Sequence, residues 1–136
     1  MMRYHSQYRR SPDADLAQRF VDYLNKSEIL TGPSGLPVDD RERDGFRDFV
    51  ADSEVSRLHT VNFEQDHSPE EIQNALRSVA NDRLDGEFLV SVHTETEQNH
   101  GYVAQAGSED DCWQDVADMK EFRSAVADQF DGETIG

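Results

Sequence analysis

The stretch Phe88–Gly107, FLVSVHTETEQNHGYVAQAG, decides how the rest of the chain is interpreted. FLVSVH alternates apolar with small or polar residues, GYVAQAG does so less regularly, and both segments have the length of strands. The polar connection TETEQN between them suits a hairpin, although it is slightly long. The stretch therefore predicts a β-hairpin in which His93 ends the first strand and His100 begins the second.

This hairpin has the composition of a metal site. Two antiparallel strands would bring His93 and His100 close together at one end of a sheet, with Glu95 and Glu97 nearby. Neutral imidazoles combined with carboxylates suit divalent ions of the Mn, Zn or Mg type. The alternative interpretation is a pair of solvent-exposed histidines in a hairpin.

Helix caps and apolar periodicity predict the elements around the hairpin. The expected elements are a helix from Ser11-Pro12 to about 26, a helix from Asp39 or Asp40 to about 52, a strand over 57–63, a helix from Ser68 to about 84, and a last helix from Ser108 or Asp111 to about 130. Residues 3–8 can add a further strand. Trp113 is expected in the core, with an exposed platform for stacking as the alternative.

This order predicts an α+β fold, with a small, mostly antiparallel sheet covered by helices. We expect a basic arm at residues 1–10, a single domain over residues 11–130 and a frayed tail at residues 131–136.

The single cysteine, Cys112, excludes an internal disulfide and a zinc cluster of cysteines. No apolar run reaches about 20 residues and the N-terminus lacks a secretory signal, so we expect a cytoplasmic protein with no membrane partner.

The hairpin segment HTETEQNH, His93–His100, resembles the metal-binding segment of relaxases, the mobilisation nucleases of the HUH endonuclease superfamily. Their segment follows a β-strand and runs His-Thr-Asp-Thr-Asp-x-x-His-hydrophobic-His. The step between the two histidines matches, and so do the alternating threonines and acids. Glu95 replaces the usual Asp, and Tyr102 stands where the family has its closing His. The similarity extends weakly over residues 11–107 and implies a relaxase-like core.

The resemblance implies cleavage of single-stranded DNA by a tyrosine, whose hydroxyl attacks a phosphate and stays attached as a 5′-phosphotyrosine. A divalent metal, Mn or Mg, would polarise the phosphate oxygens. The implied ligand positions are His93, His100 and Tyr102. Glu95 would orient a ligand or help to deprotonate the nucleophile. The candidate nucleophiles remain open and are Tyr23, Tyr8 and Tyr4.

The charge of the chain favours a host that accumulates salt. Acidic residues outnumber basic ones 29 to 13, and molar salt shortens the Debye length to about 3 Å, which screens their repulsion. The basic residues concentrate in the N-terminal half, so DNA phosphates are expected there. The candidate DNA-binding residues are Arg3, Arg9, Arg10, Arg43 and Arg47. For Arg43 and Arg47, a solvent-exposed helix face with internal salt bridges is the alternative.

Three functional hypotheses follow. The first is a relaxase- or replication-initiator-like domain that binds and nicks single-stranded DNA of a mobile element, together with other DNA-processing proteins. The second is the same fold without the chemistry, a degenerate member from a haloarchaeon or its virus that binds DNA or a protein partner. The third is an acidic interaction protein or DNA mimic.

Overall fold

The computed structural model describes residues 2–10, 12–24, 29–93 and 100–130. These ranges form an α+β fold in which helices cover a small antiparallel sheet, and the predicted fold class is confirmed. No helix within them is long and apolar enough to cross a membrane. The elements are β1 (Arg3–Arg10), α1 (Ala14–Leu24), β2 (Ile29–Thr31), α2 (Asp40–Asp52), β3 (Val55–Asn62), α3 (Pro69–Arg83), β4 (Glu87–His93), β5 (His100–Gly107), α4 (Glu109–Cys112) and α5 (Val116–Ala127).

The five strands are arranged in the order β1-β3-β5-β4-β2, and each neighbouring pair is antiparallel. The predicted hairpin is the β4–β5 pair, in which His93 lies directly opposite His100. Within the predicted basic arm, Arg3–Arg10 does not stand apart from the sheet, because it pairs with β3 over its whole length. The optional N-terminal strand is therefore present and reaches two residues further than Tyr8.

Each face of the sheet carries its own apolar core. On one side, here the α1/α2 face, Leu89, Ala104 and Ala106 pack against α1 and α2. On the other side, here the α3/α5 face, Val90 and Val103 pack against α3 and α5. Because side chains alternate along a strand, the register assigns every strand residue to one of these two faces.

Local signals explain where most helices begin. The side chain of Asp39 accepts a hydrogen bond from the Glu42 amide at 2.7 Å. Asp13 does the same for the Leu16 amide at 2.7 Å and caps α1. The predicted cap Ser11 lies outside the described residues. Ser68 caps α3 as predicted.

Two expectations were wrong, and one short strand was not predicted. The single last helix is two helices, because Asp115 forms a capping box that starts α5 after a break. That break turns Trp113 outward, so its side chain is 57% exposed and packs edge-on to Tyr8. The short strand β2 was not predicted, since its pairing with β4 rather than its own sequence defines it.

Gly101 sets the distance between α3 and the central strand β5. A Cβ atom at this position would lie 2.4 Å from Leu76 Cδ1 and 3.0 Å from Ile72 Cγ2. Both of these α3 side chains are fully buried and have little room to move. Gly101 is therefore required for the close approach of the helix to the sheet.

We predict opposite effects of the same substitution at two glycines. Gly101→Ala overpacks the α3 contact and should lower the free energy of unfolding by about 1–3 kcal/mol. Gly45→Ala in α2, where no atom lies within 4 Å of the added Cβ, should raise it by about 1 kcal/mol through helix propensity. Urea denaturation in high salt measures both, and equal stabilities of the two variants would contradict the packing argument.

Candidate functional site

Three aromatic side chains meet at one end of the sheet. The ring centroids of His93 and His100 lie 5.5 Å apart, and the rings are nearly parallel at 17°. The Tyr102 ring lies edge-on to both, at 4.8 Å from His93 and 5.4 Å from His100. We refer to His93, His100 and Tyr102 as the HHY cluster. The structure thus brings together the three positions at which the relaxase resemblance expects metal ligands.

The alternation of the hairpin strands places the HHY cluster on the α1/α2 face. His100 and Tyr102 share the parity of Ala104, which packs in the α1/α2 core, and His93 shares that of Leu89. Gly101 lies between His100 and Tyr102 in β5 and has the opposite parity, so a Cβ atom there would face α3. The predicted proximity of His93 and His100 is therefore correct, and it follows from direct cross-strand pairing.

The donor chemistry of the HHY cluster suits a divalent ion in part. Two imidazoles from directly opposed strand positions can reach one ion by rotation about their side-chain bonds. In the observed arrangement the rings stack, so the lone pairs of their nitrogens lie in two nearly parallel planes. Among the described residues, no group of three His, Cys, Asp or Glu side chains could hold a metal. Glu95 and Glu97, the predicted neighbouring acids, lie outside the described residues.

Polar side chains extend the cluster across the same face toward β1. Asn62 lies opposite His100 and, on its other side, opposite Arg3. In the next row Thr60 lies between Tyr102 and His5. The outward row of β1 on this face, Arg3, His5, Gln7 and Arg9, is exposed and contains no acid. A basic edge therefore adjoins the cluster.

The predicted nucleophile Tyr4 lies on the opposite, α3/α5 face. Its hydroxyl is 2.6 Å from His59 Nδ1 and 3.1 Å from Gln114 Oε1. Burial raises the pKa of Tyr4 to about 12. Because its phenol is far from the HHY cluster face and hard to ionise, Tyr4 is disfavoured as the nucleophile.

The buried histidine beside Tyr4 has a defined tautomer. The Gln105 amide nitrogen donates to the carbonyl oxygens of Asp85 at 2.8 Å and Asp111 at 3.0 Å, so its Oε1 must accept from His59 Nε2 at 2.9 Å. His59 Nδ1 then accepts a hydrogen bond from the Tyr4 hydroxyl. Desolvation lowers the pKa of His59 to about 4, so this histidine is neutral at pH 7.

The other two candidate tyrosines differ in position. Tyr8 lies on the α3/α5 face under the Arg57 guanidinium, 4.8 Å from the ring centroid. Its hydroxyl is buried and makes no hydrogen bond within the described part of the chain. Tyr23 lies on α1, the helix that packs on the HHY cluster face, and its side chain lies outside the described residues.

The predicted DNA-binding arginines are dispersed. Arg3 and Arg9 are exposed on the α1/α2 face, whereas Arg10 points the other way and pairs with Glu109 at 3.0 Å. On α2, Arg43 pairs with Asp40 at 3.1 Å, and Arg47 contacts Asp44 at 3.6 Å and Asp48 at 3.4 Å. The internal salt bridges that were the alternative for Arg43 and Arg47 are present.

Sequence patterns gave no signal for the buried polar network on the α3/α5 face. His59 and Arg57 alternate with apolar residues in β3 and had no assigned role. Arg57 Nε donates to the Cys112 carbonyl at 2.7 Å, and its Nη1 donates to Ser6 at 2.6 Å. These partners are 55 and 51 positions away in the sequence. Such distant partners are defined by the strand register and by the packing of α4 on the sheet.

Comparisons of the chain with protein-family models, with curated proteins and with solved structures find no match. The resemblance to relaxases therefore rests on the hairpin segment and its surroundings.

We predict an acid-sensitive contribution of His59 to stability. The pKa of His59 is lower in the folded chain (about 4) than the ordinary value of 6.5. As the pH falls, the unfolded chain therefore takes up a proton at this histidine at a higher pH than the folded chain does. Its contribution is fully present above pH 6.5 and is lost as the pH falls toward 4, by about 3 kcal/mol. Denaturant titrations at several pH values measure it.

The matched variant is His59→Gln, which keeps hydrogen-bonding groups but cannot titrate. Its free energy of unfolding should fall less steeply with acid than that of the wild type between pH 6.5 and 4. Parallel curves for the two proteins would show that His59 does not carry the effect.

Proposed function

We propose that this protein is a relaxase-like domain that binds and nicks single-stranded DNA of a mobile element. The observation that carries the proposal is the HHY cluster, with ring centroids 4.8–5.5 Å apart on the sheet face against which α1 packs. Tyr23 on that helix is the proposed nucleophile. Tyr4 is committed to a buried hydrogen bond on the other face.

In the proposed cleavage, each side chain of the site would have a distinct role. His93 and His100 would hold a Mn or Mg ion, with remaining ligands from segment 94–99, which contains Glu95 and Glu97. When bound, the ion would stabilise negative charge on the phosphate oxygens. The Tyr23 hydroxyl would attack phosphorus and lose its proton to a carboxylate such as Glu95. The P–O3′ bond would break, the 5′ side would stay on the tyrosine, and the 3′ oxygen would leave as a hydroxyl after taking up a proton. Tyr102 would pack against both imidazoles and orient them.

Charge also favours the β1 part of this face for a polyanion. The α3/α5 side contains a cavity of about 350 Å³ that is rich in acids, and such a lining repels phosphates. Its acidic residues are Asp82, Asp85, Asp110, Asp111, Asp118 and Glu121. The exposed row of β1 on the α1/α2 face has no acid and leads to the cluster. A DNA strand would therefore approach over β1.

The first test is covalent adduct formation. In molar salt with Mn²⁺, wild-type protein incubated with single-stranded DNA from its genetic element should give a denaturant-stable adduct that mass spectrometry maps to Tyr23. Tyr23→Phe should abolish the adduct, and His93→Ala should reduce it at least 100-fold, because the tyrosine or the charge stabilisation is missing.

His67→Ala is the matched control, since His67 packs against Phe63 and Phe130, away from the HHY cluster. It should keep the wild-type yield. An adduct on Tyr102, or one that survives His93→Ala unchanged, would overturn the proposal.

A second candidate function is DNA binding without cleavage. It is favoured by the phenol of Tyr102 at the third ligand position and by the stacking of the two imidazoles. A phenol is a poor ligand at neutral pH, because its ordinary pKa is about 10. In this case DNA is retained in a native gel shift, chelator has no effect and no adduct forms.

Tyr102→His provides a test of the site geometry that does not depend on DNA. If the HHY cluster has the arrangement of a metal site, replacing the phenol by an imidazole adds a third nitrogen ligand. We expect Mn²⁺ affinity, measured by calorimetry, to rise at least tenfold. The control Tyr8→His places an imidazole on the opposite face and should leave the affinity unchanged. Equal affinities of wild type and Tyr102→His would contradict the assigned geometry.

A further inference from the structure

We infer that a small cavity between α1 and the sheet binds one purine base of the DNA strand. The inference rests on the proposed function and adds a base-reading subsite to it. The cavity has a volume of about 100 Å³. It is lined by Gln7, Arg9, Leu16, Phe20, Ser56 and Leu58.

The cavity opens on the same face as the HHY cluster. Leu58, which pairs with Gln7, packs in the α1/α2 core. Thr60, two residues further along β3, pairs with Tyr102. From strand spacings of about 4.8 Å and a rise of about 3.3 Å per residue, the cavity lies roughly 12 Å from Tyr102. An extended strand of a few nucleotides covers that distance.

The size of the cavity suits a single planar ring system. Its volume of about 100 Å³ is about a third of the roughly 300 Å³ at which cavities for drug-sized ligands start. A base that enters from the open side would leave its sugar and phosphate outside, where the basic row of β1 is exposed.

The lining combines apolar walls with two groups that read purines. Leu16, Phe20 and Leu58 are half-buried, so each still offers apolar surface, and the Phe20 ring can stack on a base. Gln7 and Arg9 are exposed at the rim. Glutamine forms paired hydrogen bonds with the N6/N7 edge of adenine, and arginine with the O6/N7 edge of guanine. Both pairings select purines, which is why we assign a purine instead of any base.

The half-buried Leu16 and Phe20 also fit this role. In α1, Ala17, Val21 and Leu24 are buried in the α1/α2 core, and Phe20 packs against them from a half-buried position. Leu16 and Phe20 both border the cavity. Two large apolar side chains at a rim with exposed polar groups are typical of a ligand pocket.

The experiment is fluorescence anisotropy of labelled twelve-nucleotide strands in molar salt. Full-length wild-type protein is titrated with oligo-dA, oligo-dT and a strand with the same backbone but no bases. We expect oligo-dA to bind at least fivefold more tightly than either of the others. Gln7→Ala should lower the affinity for oligo-dA roughly 5- to 100-fold, because one paired base contact is lost, and leave the affinity for the abasic strand unchanged.

Arg9→Ala and Arg10→Ala form a matched pair. Both remove one positive charge from adjacent positions of β1, but Arg10 lies on the opposite face and pairs with Glu109. On an abasic strand that carries a single guanine, Arg9→Ala should lower the affinity at least fivefold, because the paired contact with the guanine O6/N7 edge is lost, and Arg10→Ala should leave it unchanged. Equal effects of the two variants on this strand and on the fully abasic strand would overturn the subsite.

The outcomes separate this inference from the proposed function. Wild-type protein that retains DNA and forms the tyrosine adduct, but binds oligo-dA and the abasic strand equally, overturns the purine subsite alone. Wild-type protein that retains none of the three strands overturns both.

Discussion

The approach of α3 to β5 at Gly101 is the constraint on which the rest of this structure depends. Only hydrogen fits between the strand and the buried Leu76 side chain, so this residue must face α3. Its neighbours His100 and Tyr102 must then face α1 and α2. A slip of one residue in the pairing would exchange the faces and drive an imidazole into the α3 core. One packing contact thus fixes both the register of the hairpin and the location of the candidate site.

The sequence predicted those features that depend on neighbouring residues. The hairpin, the caps at Asp39 and Ser68 and the pairing of His93 with His100 are encoded by alternation, capping chemistry and turn length. Features that depend on distant partners were missed. The short strand β2 is defined by its pairing with β4. The Asp115 capping box interrupts the expected last helix, and the His59 network joins residues from several elements. The resemblance supplied the candidate ligands, but only the parity of β1 showed that Tyr4 and Tyr8 face away from them.

The two faces of the sheet use polar groups in different ways. On the α3/α5 face, Tyr4, His59 and Gln105 satisfy one another within the protein, which makes that network a part of the folded core. On the α1/α2 face the outward row of β1 is exposed and His93 and His100 are half-buried, whereas Tyr102 is buried. The solvent-accessible polar groups of this face therefore belong to β1 and to the two histidines.

The edges of the sheet have a consequence for solubility. One edge, β2, is only three residues long, and the other, β1, carries three arginines over eight residues. Open strands invite edge-to-edge association between molecules, and short length and positive charge both discourage it. Two copies that met along β1 in antiparallel fashion would bring arginines close to arginines. At molar salt this repulsion acts over only about 3 Å, so it opposes only close contact. At this salt concentration the bulk of the arginine side chains, more than their charge, opposes pairing of the β1 edge with a second molecule.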